Sequence, residues 1–389
     1  MRNGYAGRVQ FARRKLIRMK VLQVYKDYYP PVKGGIEGLV NSISNGLKQR
    51  GVEVEVLVSN TRATFKKEII DGITVTKAPQ LGRIASAPLN FTFPYHLRRL
   101  AKDAHIVHFH FPNPTGELSC LLGGLNNRVV VSYHSDIIRQ KRLGRLYRPF
   151  LKKFLEISRV IIVASPSYLR SSVILNQFRD KCRVIPYGID LEKFSPFSER
   201  CGDKNLIHNH CGVSTILFVG RFRYYKGLHV LIEAMSKVDG KLLLIGAGPL
   251  ERELRKLTAE KRMEEKIIFM GELSDRDVVG YLRSSDIFVL PSILRSEAFG
   301  IVLLEAMACG KPVVSTELNT GTSFINQHQK TGLVVPPGNV EALADAINFL
   351  LADSDIRKKY GDAGRRRVEK CFSSKRMIEK LVRTYEEIL

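Results

Sequence analysis

Two doubly wound α/β domains in tandem are the fold that this sequence of 389 residues predicts. Short β-rich runs alternate with helical patterns in the first half, and the alternation starts again at Thr215 after a polar, pattern-poor segment. Such alternation is typical of parallel sheets covered by helices on both faces. The length suits two domains of ordinary size, each with its own core. Ligands of such sheets bind beyond the carboxyl ends of the strands, so we expect a site in the cleft between the domains.

The predicted elements follow from the spacing of apolar residues, two apart in strands and three or four apart in helices. The predicted strands of the first half cover 21–25, 54–58, 106–109, 129–133, 159–164 and 182–186. Its helices are a stripe from Ile36 to Leu47 that ends at Gly51, and segments around 94–102, 143–157 and 167–177. The predicted strands of the second half cover 215–220, 241–245, 266–270, 286–290 and 312–315. Its helices cover 227–238, 249–261, 275–284, 298–309, 340–353, 354–371 and 374–389.

The domain boundaries follow from these elements. Residues 1–18 form a basic extension without an apolar stretch, which we expect to be disordered or to precede a native start at Met19. The units after it are a first domain at 19–190, a linker at 191–214, a second domain at 215–373 and a terminal helix at 374–389.

Composition excludes several classes of protein. No apolar run approaches the roughly 20 residues that span a bilayer, and the N-terminus lacks the apolar core of a secretory signal. The six cysteines form no Cys-x-x-Cys pair and do not lie at zinc-ligand spacing with histidine. We therefore expect a protein of the reducing cytoplasm with no structural metal.

The positive charge is concentrated in the first half. Residues 1–190 carry 32 Lys and Arg against 12 Asp and Glu, a net of +20, which leaves +4 of the total of +24 to the rest. Such a field attracts nucleic acid, acidic lipid headgroups or phosphorylated substrates. The stretch 139–154 mixes basic residues with Leu, Tyr and Phe, which indicates either a membrane-surface helix or a solvated helix face with snorkelling lysines. The charge of the whole half favours the membrane, and no nucleic-acid-binding motif is present, so we expect no nucleic acid.

The stretch 295–310 is where we expect the centre of the site. A strand and a loop lead into a short helix, and Glu297 precedes that helix. The free N–H groups of Phe299 and Gly300 at its start suit an anionic phosphate. Glu305 lies about 12 Å further along at ~1.5 Å per residue, roughly the reach of a nucleotide-sugar. The alternative is a buried helix with one capping and one surface glutamate.

Two glycine pairs follow strands and open helices. Gly34 and Gly35 permit close approach of a phosphate or sugar to the backbone, although a plain turn is the alternative. The sequence there lacks the G-x-G-x-x-G fingerprint, so no nicotinamide cofactor is expected. Gly246 and Gly248, followed by a proline at the first helical turn, fit a close turn beside a nucleotide.

Two strand ends carry polar side chains suited to sugar and phosphate chemistry. His134, with Asp136 nearby, could bind a sugar hydroxyl or shuttle a proton, whereas a lone histidine is more often a structural hydrogen-bonder. Arg221 offers a fork and Lys226 a point charge for a leaving diphosphate. Arg223, in the same loop, fits a solvated charge.

Taken in order, these signals resemble the family-four retaining glycosyltransferases of the GT-B fold, and the similarity covers nearly the whole chain from Met19. The segment 185–190 looks like the interdomain motif of that family, which usually carries Asn where this chain has Tyr187. The segment 133–140, with Tyr147-Arg148-Pro149 beyond it, looks most like bacterial mannosyl- and rhamnosyltransferases of surface polysaccharide (O-antigen, lipopolysaccharide) synthesis.

The resemblance implies two Rossmann-like domains that close on a nucleotide-sugar, the first on the acceptor side and the second holding the donor. The terminal helix, 374–389, would cross back to the first domain, and no metal or cofactor would be needed. Gly34 and Gly35 would approach the donor from the acceptor side. The other expected contacts are Glu305 to the ribose, Glu297 to the transferred sugar, backbone at Phe299, Gly300 and Ile301 to sugar and phosphate, Arg221 and Lys226 to the diphosphate, and His134 to the sugar.

The expected activity is transfer of a hexosyl unit, favoured as mannosyl from GDP-mannose, with retention of configuration. The expected acceptor is a hydroxyl of a membrane-associated glycan or polyprenyl-diphosphate-linked acceptor, which would place the protein at the inner face of the membrane. Alternatives are a UDP-sugar-dependent glucosyl- or N-acetylglucosaminyltransferase, a nucleotide-sugar epimerase and a non-catalytic sensor. Same-face displacement is the favoured mechanism, and a covalent intermediate on Glu297 is the alternative.

Overall fold

The structure is a computed structural model of the chain. It describes residues 19–32, 34–84, 87–125, 128–137, 141–195 and 213–389, without the side chains of 141–143. The predicted extension at 1–18, most of the predicted linker and residues 139 and 140 of the basic stretch lie outside the described residues. No helix within the described ranges is long and apolar enough to cross a bilayer.

The first half builds an eight-stranded sheet. Its elements in chain order are β1 (Lys20–Val24), α1 (Gly35–Gln49), β2 (Glu53–Ser59), β3 (Lys66–Ile70), β4 (Ile73–Ala78), β5 (Gly82–Ile84), β6 (Ala87–Leu89), α2 (Phe93–Ala101), β7 (Ile106–Phe111), α3 (Pro114–Gly123), β8 (Val129–Tyr133), α4 (Lys141–Ile157), β9 (Val160–Val163), α5 (Pro166–Ser171), β10 (Cys182–Val184) and α6 (Leu191–Phe194). The strand order is β10-β9-β8-β7-β1-β2-β4-β3, parallel except for the antiparallel edge strand β3. Strands β5 and β6 form a separate hairpin.

The second half builds a six-stranded parallel sheet of order β13-β12-β11-β14-β15-β16. Its elements are β11 (Thr215–Val219), α7 (Leu228–Ala234), β12 (Lys241–Ile245), α8 (Glu251–Glu260), β13 (Ile267–Gly271), α9 (Asp275–Ser284), β14 (Ile287–Leu290), α10 (Ile301–Ala308), β15 (Val313–Thr316), α11 (Gly321–Ile325), β16 (Gly332–Val335), α12 (Val340–Ala352), α13 (Ser354–Cys371) and α14 (Ser374–Ile388). Two doubly wound parallel sheets confirm the predicted fold class. The strand order reverses between β1 and β7 in one sheet and between β11 and β14 in the other, and ligands bind at such points.

Five strands and three short helices were not predicted: β3, β4, β5, β6, β16, α3, α6 and α11. Strand β4 escaped prediction because two of its buried side chains are polar, Thr76 and Lys77. The Lys77 ammonium lies 2.5 Å from Glu68 on β3, which compensates the buried charge. Strands β5 and β6 have three residues each, too few for a periodic pattern to show.

Helix α10 begins three residues later than the prediction of 298–309. Gly300 precedes it with φ 88°, a left-handed conformation that a glycine adopts without steric cost. That turn sets the start of the helix at Ile301, and Gly310 with φ 73° follows its end. The predicted helix at 167–177 is likewise divided, into α5 and a 3₁₀ segment at Leu175–Lys181.

Two chain segments, one at Ile189 and one at 372–374, cross between the two sheets and are hydrogen-bonded to each other. The Ile189 N–H donates to the Phe372 carbonyl, and the Ser374 N–H donates to the Ile189 carbonyl, both at 2.9 Å. Beyond this crossing, α14 packs on α1 of the first half, where Arg50 pairs with Glu379 at 2.7 Å. The crossing therefore fixes where the two sheets meet.

Helix α1 carries two glycines with opposite surroundings, which allows a test of the α14 contact. A methyl group at Gly46 would lie 2.5 Å from Cγ1 of the buried Ile378 on α14, whereas at Gly38 it would meet open space. We expect Gly46→Ala to destabilise the protein by about 1–3 kcal/mol through overpacking. Gly38→Ala, the control, should stabilise by about 0.5–1 kcal/mol through its lower unfolded-state entropy. Urea denaturation measures both, and equal effects would mean that α14 does not press on α1.

Candidate active site

The glycine loop of the first half faces the start of α10 in the second. Gly34 is extended and precedes α1, which begins at Gly35. A methyl group on Gly35 would lie 4.0 Å from Cδ1 of Ile301. The structure therefore brings Gly35, one of the two glycines predicted to approach the donor, to the first turn of α10.

A hydrogen bond from Gly321, at the start of α11, fixes the backbone just before α10. The Gly321 N–H donates to the Ala298 carbonyl at 2.8 Å, and the side chain of Phe299 is buried. Gly300 is also buried, and Ile301 is half-buried. Phe299, Gly300 and Ile301 thus form a rigid helix start, where a helix offers unpaired N–H groups and a positive dipole end to an anion.

Glu297 and Lys226 form a buried ion pair at this helix start. The Lys226 ammonium lies 2.5 Å from Oε2 of Glu297, and the two residues are 9% and 8% exposed. The Ser292 hydroxyl donates to the same oxygen at 3.1 Å, and the Thr320 hydroxyl donates to the Glu297 carbonyl at 2.8 Å. Burial lowers the pKa of Lys226, but the negative charge of Glu297 outweighs this and leaves the pKa above its usual value. The lysine is therefore a cation at neutral pH.

The loop after β11 also carries Arg221, which is exposed. Burial raises the pKa of Glu37 on α1, and the charges of Lys26 and Arg221 oppose that rise. Arg221 therefore lies close enough to the first half to interact electrostatically with it across the cleft.

The two glycines after β12 are explained by loop packing. A methyl group on Gly246 would lie 2.1 Å from the Gly220 carbonyl oxygen, and one on Gly248 would lie 2.5 Å from the Phe222 carbonyl oxygen. Because these two residues have no side chain, the backbone of the loop after β12 packs directly against the loop that carries Arg221. Their closeness to a nucleotide stays a prediction.

Glu305 lies further along α10 and is half-buried. Burial raises the pKa of its carboxyl to about 7, and the Lys193 charge opposes this rise while Asp275 adds to it. Lys193, on α6 just after the interdomain segment, pairs with Asp275 at 2.8 Å. Glu305 is thus poised to change its charge near neutral pH.

His134 lies at the carboxyl end of β8, as expected, and is 4% exposed. Its Nε2 lies 3.0 Å from Nδ1 of His110, and its Nδ1 lies 2.5 Å from the Tyr187 hydroxyl. Burial lowers the pKa of His134 to about 3, with smaller effects from His108 and Lys26, so the ring is neutral at physiological pH. Both ring nitrogens are therefore engaged within the protein, and a contact with sugar requires one of these bonds to open.

Sequence reasoning missed an ion pair that joins the two halves beside this site. Arg295 lies 3.6 Å from Asp136, and its guanidinium also lies over the Tyr168 ring. The Tyr133 and Ser172 hydroxyls hold the same carboxylate at 2.8 and 2.9 Å. The available signal was position, since Asp136 follows His134 at one strand end and Arg295 lies in the loop of Glu297.

A second missed ion pair lies within the first half of the chain. Arg83, on the β5–β6 hairpin, forms two hydrogen bonds with the buried carboxylate of Asp27, which follows β1. Lys26, next to it, has its pKa lowered by burial, which the charges of Glu37 and Asp27 oppose.

Among the described residues, no group of three or more His, Cys, Asp or Glu side chains could hold a metal ion.

Comparison with known proteins covers both halves of the chain. The family described as "Glycosyltransferase Family 4" matches residues 33–193, and "Glycosyl transferases group 1" matches residues 211–367. O-antigen chain mannosyltransferase C of Escherichia coli is 38% identical over 371 residues, which cover 95% of this chain and 99% of that protein. D-rhamnosyltransferase WbpZ of Pseudomonas aeruginosa is 38% identical over 359 residues, which cover 92% and 93%.

Solved structures share the fold at lower identity. Sucrose-phosphate synthase from Thermosynechococcus elongatus superposes with a TM-score of 0.81 at 24% identity, covering 95% of this chain and 99% of that one. The Anabaena protein Alr3699/HepE in complex with UDP and glucose gives a TM-score of 0.77 at 19% identity, covering 95% and 100%.

Proposed function

This chain belongs to the glycosyltransferases of family 4 and group 1, with the GT-B fold, and on that premise we propose that it moves a mannosyl unit from GDP-mannose to a hydroxyl of a glycan acceptor during synthesis of a surface polysaccharide. The observation that carries the proposal is the meeting of Lys226, Glu297 and the α10 start opposite Gly35. The O-antigen mannosyltransferase and D-rhamnosyltransferase among the relatives support the substrate class.

Each predicted donor contact has a chemical reason at its place in the site. A diphosphate at the start of α10 would be stabilised by Arg221, Lys226 and the helix N–H groups, which need no reorganisation during reaction. Lys226 would then exchange its Glu297 partner for phosphate oxygen. Glu297 in turn would accept hydrogen bonds from the sugar hydroxyls, and Glu305 from the ribose.

We infer same-face displacement with retention. The bond between the anomeric carbon and the phosphate oxygen breaks, the acceptor oxygen forms a bond to that carbon on the same face, and the departing phosphate oxygen takes the acceptor proton. The cations neutralise the charge that grows on the phosphate. In the alternative, Glu297 attacks the anomeric carbon, and isolation of a sugar adduct on Glu297 would establish that route instead.

A UDP-sugar is the second candidate donor, favoured by the UDP held in the structurally similar Anabaena protein. GDP and GDP-mannose should raise Tm more than UDP or ADP, because ligand binding stabilises the folded state. Free GDP should then appear only when a glycan acceptor is added. Stabilisation by UDP alone would select the second donor class. Binding without nucleotide release would indicate an epimerase or a sensor.

The ionisation of Glu305 predicts how donor binding depends on pH. Its pKa of about 7 means that the carboxylate, which accepts hydrogen bonds from the ribose, is mostly lost at pH 6 and mostly present at pH 8. GDP affinity measured by calorimetry should therefore fall about tenfold from pH 8 to pH 6. In Glu305→Gln the affinity should be lower at pH 8 and nearly independent of pH. An unchanged pH dependence in this variant would assign the effect to another group.

We propose that the first half also contacts an anionic membrane. Of the 16 exposed large hydrophobic side chains in the described residues, 11 lie between residues 65 and 150. They lie on or beside β3, the β5–β6 hairpin, α2, α3 and α4. On α4 the exposed Leu146 and Phe150 alternate with exposed cations, at Arg145, Arg148, Lys152 and Lys153. Apolar side chains among cations suit the boundary between anionic headgroups and acyl chains.

The membrane proposal is tested by sedimentation with phosphatidylglycerol vesicles. Wild-type protein should bind, binding should fall with added salt, and phosphatidylcholine vesicles should not be bound. The double variant L146S/F150S should lose most of the binding. Phe349→Ser, which removes a side chain of similar exposure (48%) on α12 of the second half, should not. Equal binding by both variants would contradict an α4 contact.

A further inference from the structure

A buried chain of hydrogen bonds runs through the first half to the interdomain segment. The Gln23 amide oxygen lies 2.8 Å from Nε2 of His110. Nδ1 of His110 lies 3.0 Å from Nε2 of His134, whose Nδ1 meets the Tyr187 hydroxyl. All four side chains are at most 7% exposed. The His110 and His134 rings are stacked with planes only 3° apart, so neither ring turns without disturbing the other.

The direction of every bond in this chain follows from the first one. A carboxamide oxygen only accepts, so Nε2 of His110 carries the proton. Burial holds the pKa of His110 well below its usual value and that of His134 near 3, so each ring is neutral and carries one proton. Nδ1 of His110 therefore accepts from Nε2–H of His134. Nδ1 of His134 in turn accepts from the Tyr187 hydroxyl.

Tyr187 also contacts the donor side of the cleft. Its ring lies 4.6 Å, between centroids, from the ring of Phe299, the residue just before Gly300. His110, by contrast, lies on the central strand β7 and is fully buried. Of the two bonds that engage His134, the one to Tyr187 is therefore the one that movement at the α10 start can open.

We propose that Tyr187 is a latch: its hydroxyl occupies Nδ1 of His134 in the donor-free enzyme, and a hydroxyl of the transferred hexose takes its place when the donor binds. The exchange is chemically neutral because one O–H donor replaces another at the same accepting nitrogen, so no proton moves and no tautomer changes. This deepens the proposed function and rests on it, since it requires a nucleotide-sugar in the cleft and the expected contact of His134 with the transferred sugar.

The latch predicts a gain rather than a loss when its hydroxyl is removed. Tyr187→Phe keeps the ring against Phe299 but leaves Nδ1 of His134 free for the sugar. The nucleotide-sugar should bind up to roughly tenfold more tightly, since one hydrogen bond no longer has to open. The free nucleotide, which has no hexose, should bind as in wild type. Calorimetry with the nucleotide and nucleotide-sugar that stabilise the wild type measures both constants.

Tyr385→Phe is the matched control. The Tyr385 hydroxyl bonds Nδ1 of His108 at 2.7 Å, and Tyr385 is fully buried at the far end of the same histidine stack. Its loss removes a bond of the same kind without freeing His134, so both ligand affinities should stay unchanged. Equal changes in the two phenylalanine variants, or weaker nucleotide-sugar binding in Tyr187→Phe, would overturn the latch.

Two further measurements distinguish an error in the latch proposal from an error in the proposed function. If His134→Ala binds nucleotide and nucleotide-sugar as wild type does, the sugar contact itself is wrong. Imidazole ¹⁵N spectra of the wild type provide a test even if Tyr187→Phe does not fold. Nδ1 of His134 should respond to the nucleotide-sugar and not to the nucleotide, and an identical response to both would overturn the latch.

Discussion

The buried ion pair between Lys226 and Glu297 is the interaction on which the site depends. It joins the loops after β11 and β14, the two strands between which the order of the second sheet reverses. Each charge is compensated only while the other is present, and removal of one partner of such a pair typically costs about 3–5 kcal/mol. A ligand that separates them must therefore offer an anion to the lysine and hydroxyl groups to the carboxylate. A nucleotide-sugar carries both, a diphosphate directly bonded to a sugar.

The rest of the fold keeps these two loops in place. Gly246 and Gly248 let the loop after β12 pack closely on the loop after β11, which carries Lys226. The buried side chain of Phe299 anchors the start of α10. The crossing of the two interdomain segments, through Ile189 and Phe372, brings the first sheet close enough for Gly35 to face Ile301. Arg295 and Asp136 add a charged contact at the edge of the cleft.

Much of this arrangement was predictable from the sequence because the carboxyl ends of parallel strands share one edge. That rule places the loops of Glu297 and Lys226 at one edge of the second sheet, and His134 at the corresponding edge of the first sheet. It does not give pairings, since Lys226 and Glu297 lie 71 residues apart and only the folded chain brings their side chains to 2.5 Å. The hydrogen bonds of His134 to His110 and Tyr187 could not be predicted for the same reason, since their partners lie 24 and 53 residues away in the sequence. Short or polar strands such as β4 were missed because burial of their polar residues depends on partners in other elements.

The partners of Glu297 also bear on the chemistry. A nucleophilic carboxylate needs an oxygen with available lone pairs directed at the anomeric carbon. Here Oε2 accepts hydrogen bonds from both Lys226 and Ser292, so lone pairs of this oxygen are already engaged. If a diphosphate bound at the start of α10, the Lys226 ammonium, which now contacts Glu297, would lie near both the carboxylate and the leaving group. The lysine then favours charge growth on the phosphate over bond formation from Glu297. These contacts of Oε2 are compatible with the proposed same-face displacement, in which the carboxylate would bind hydroxyl groups.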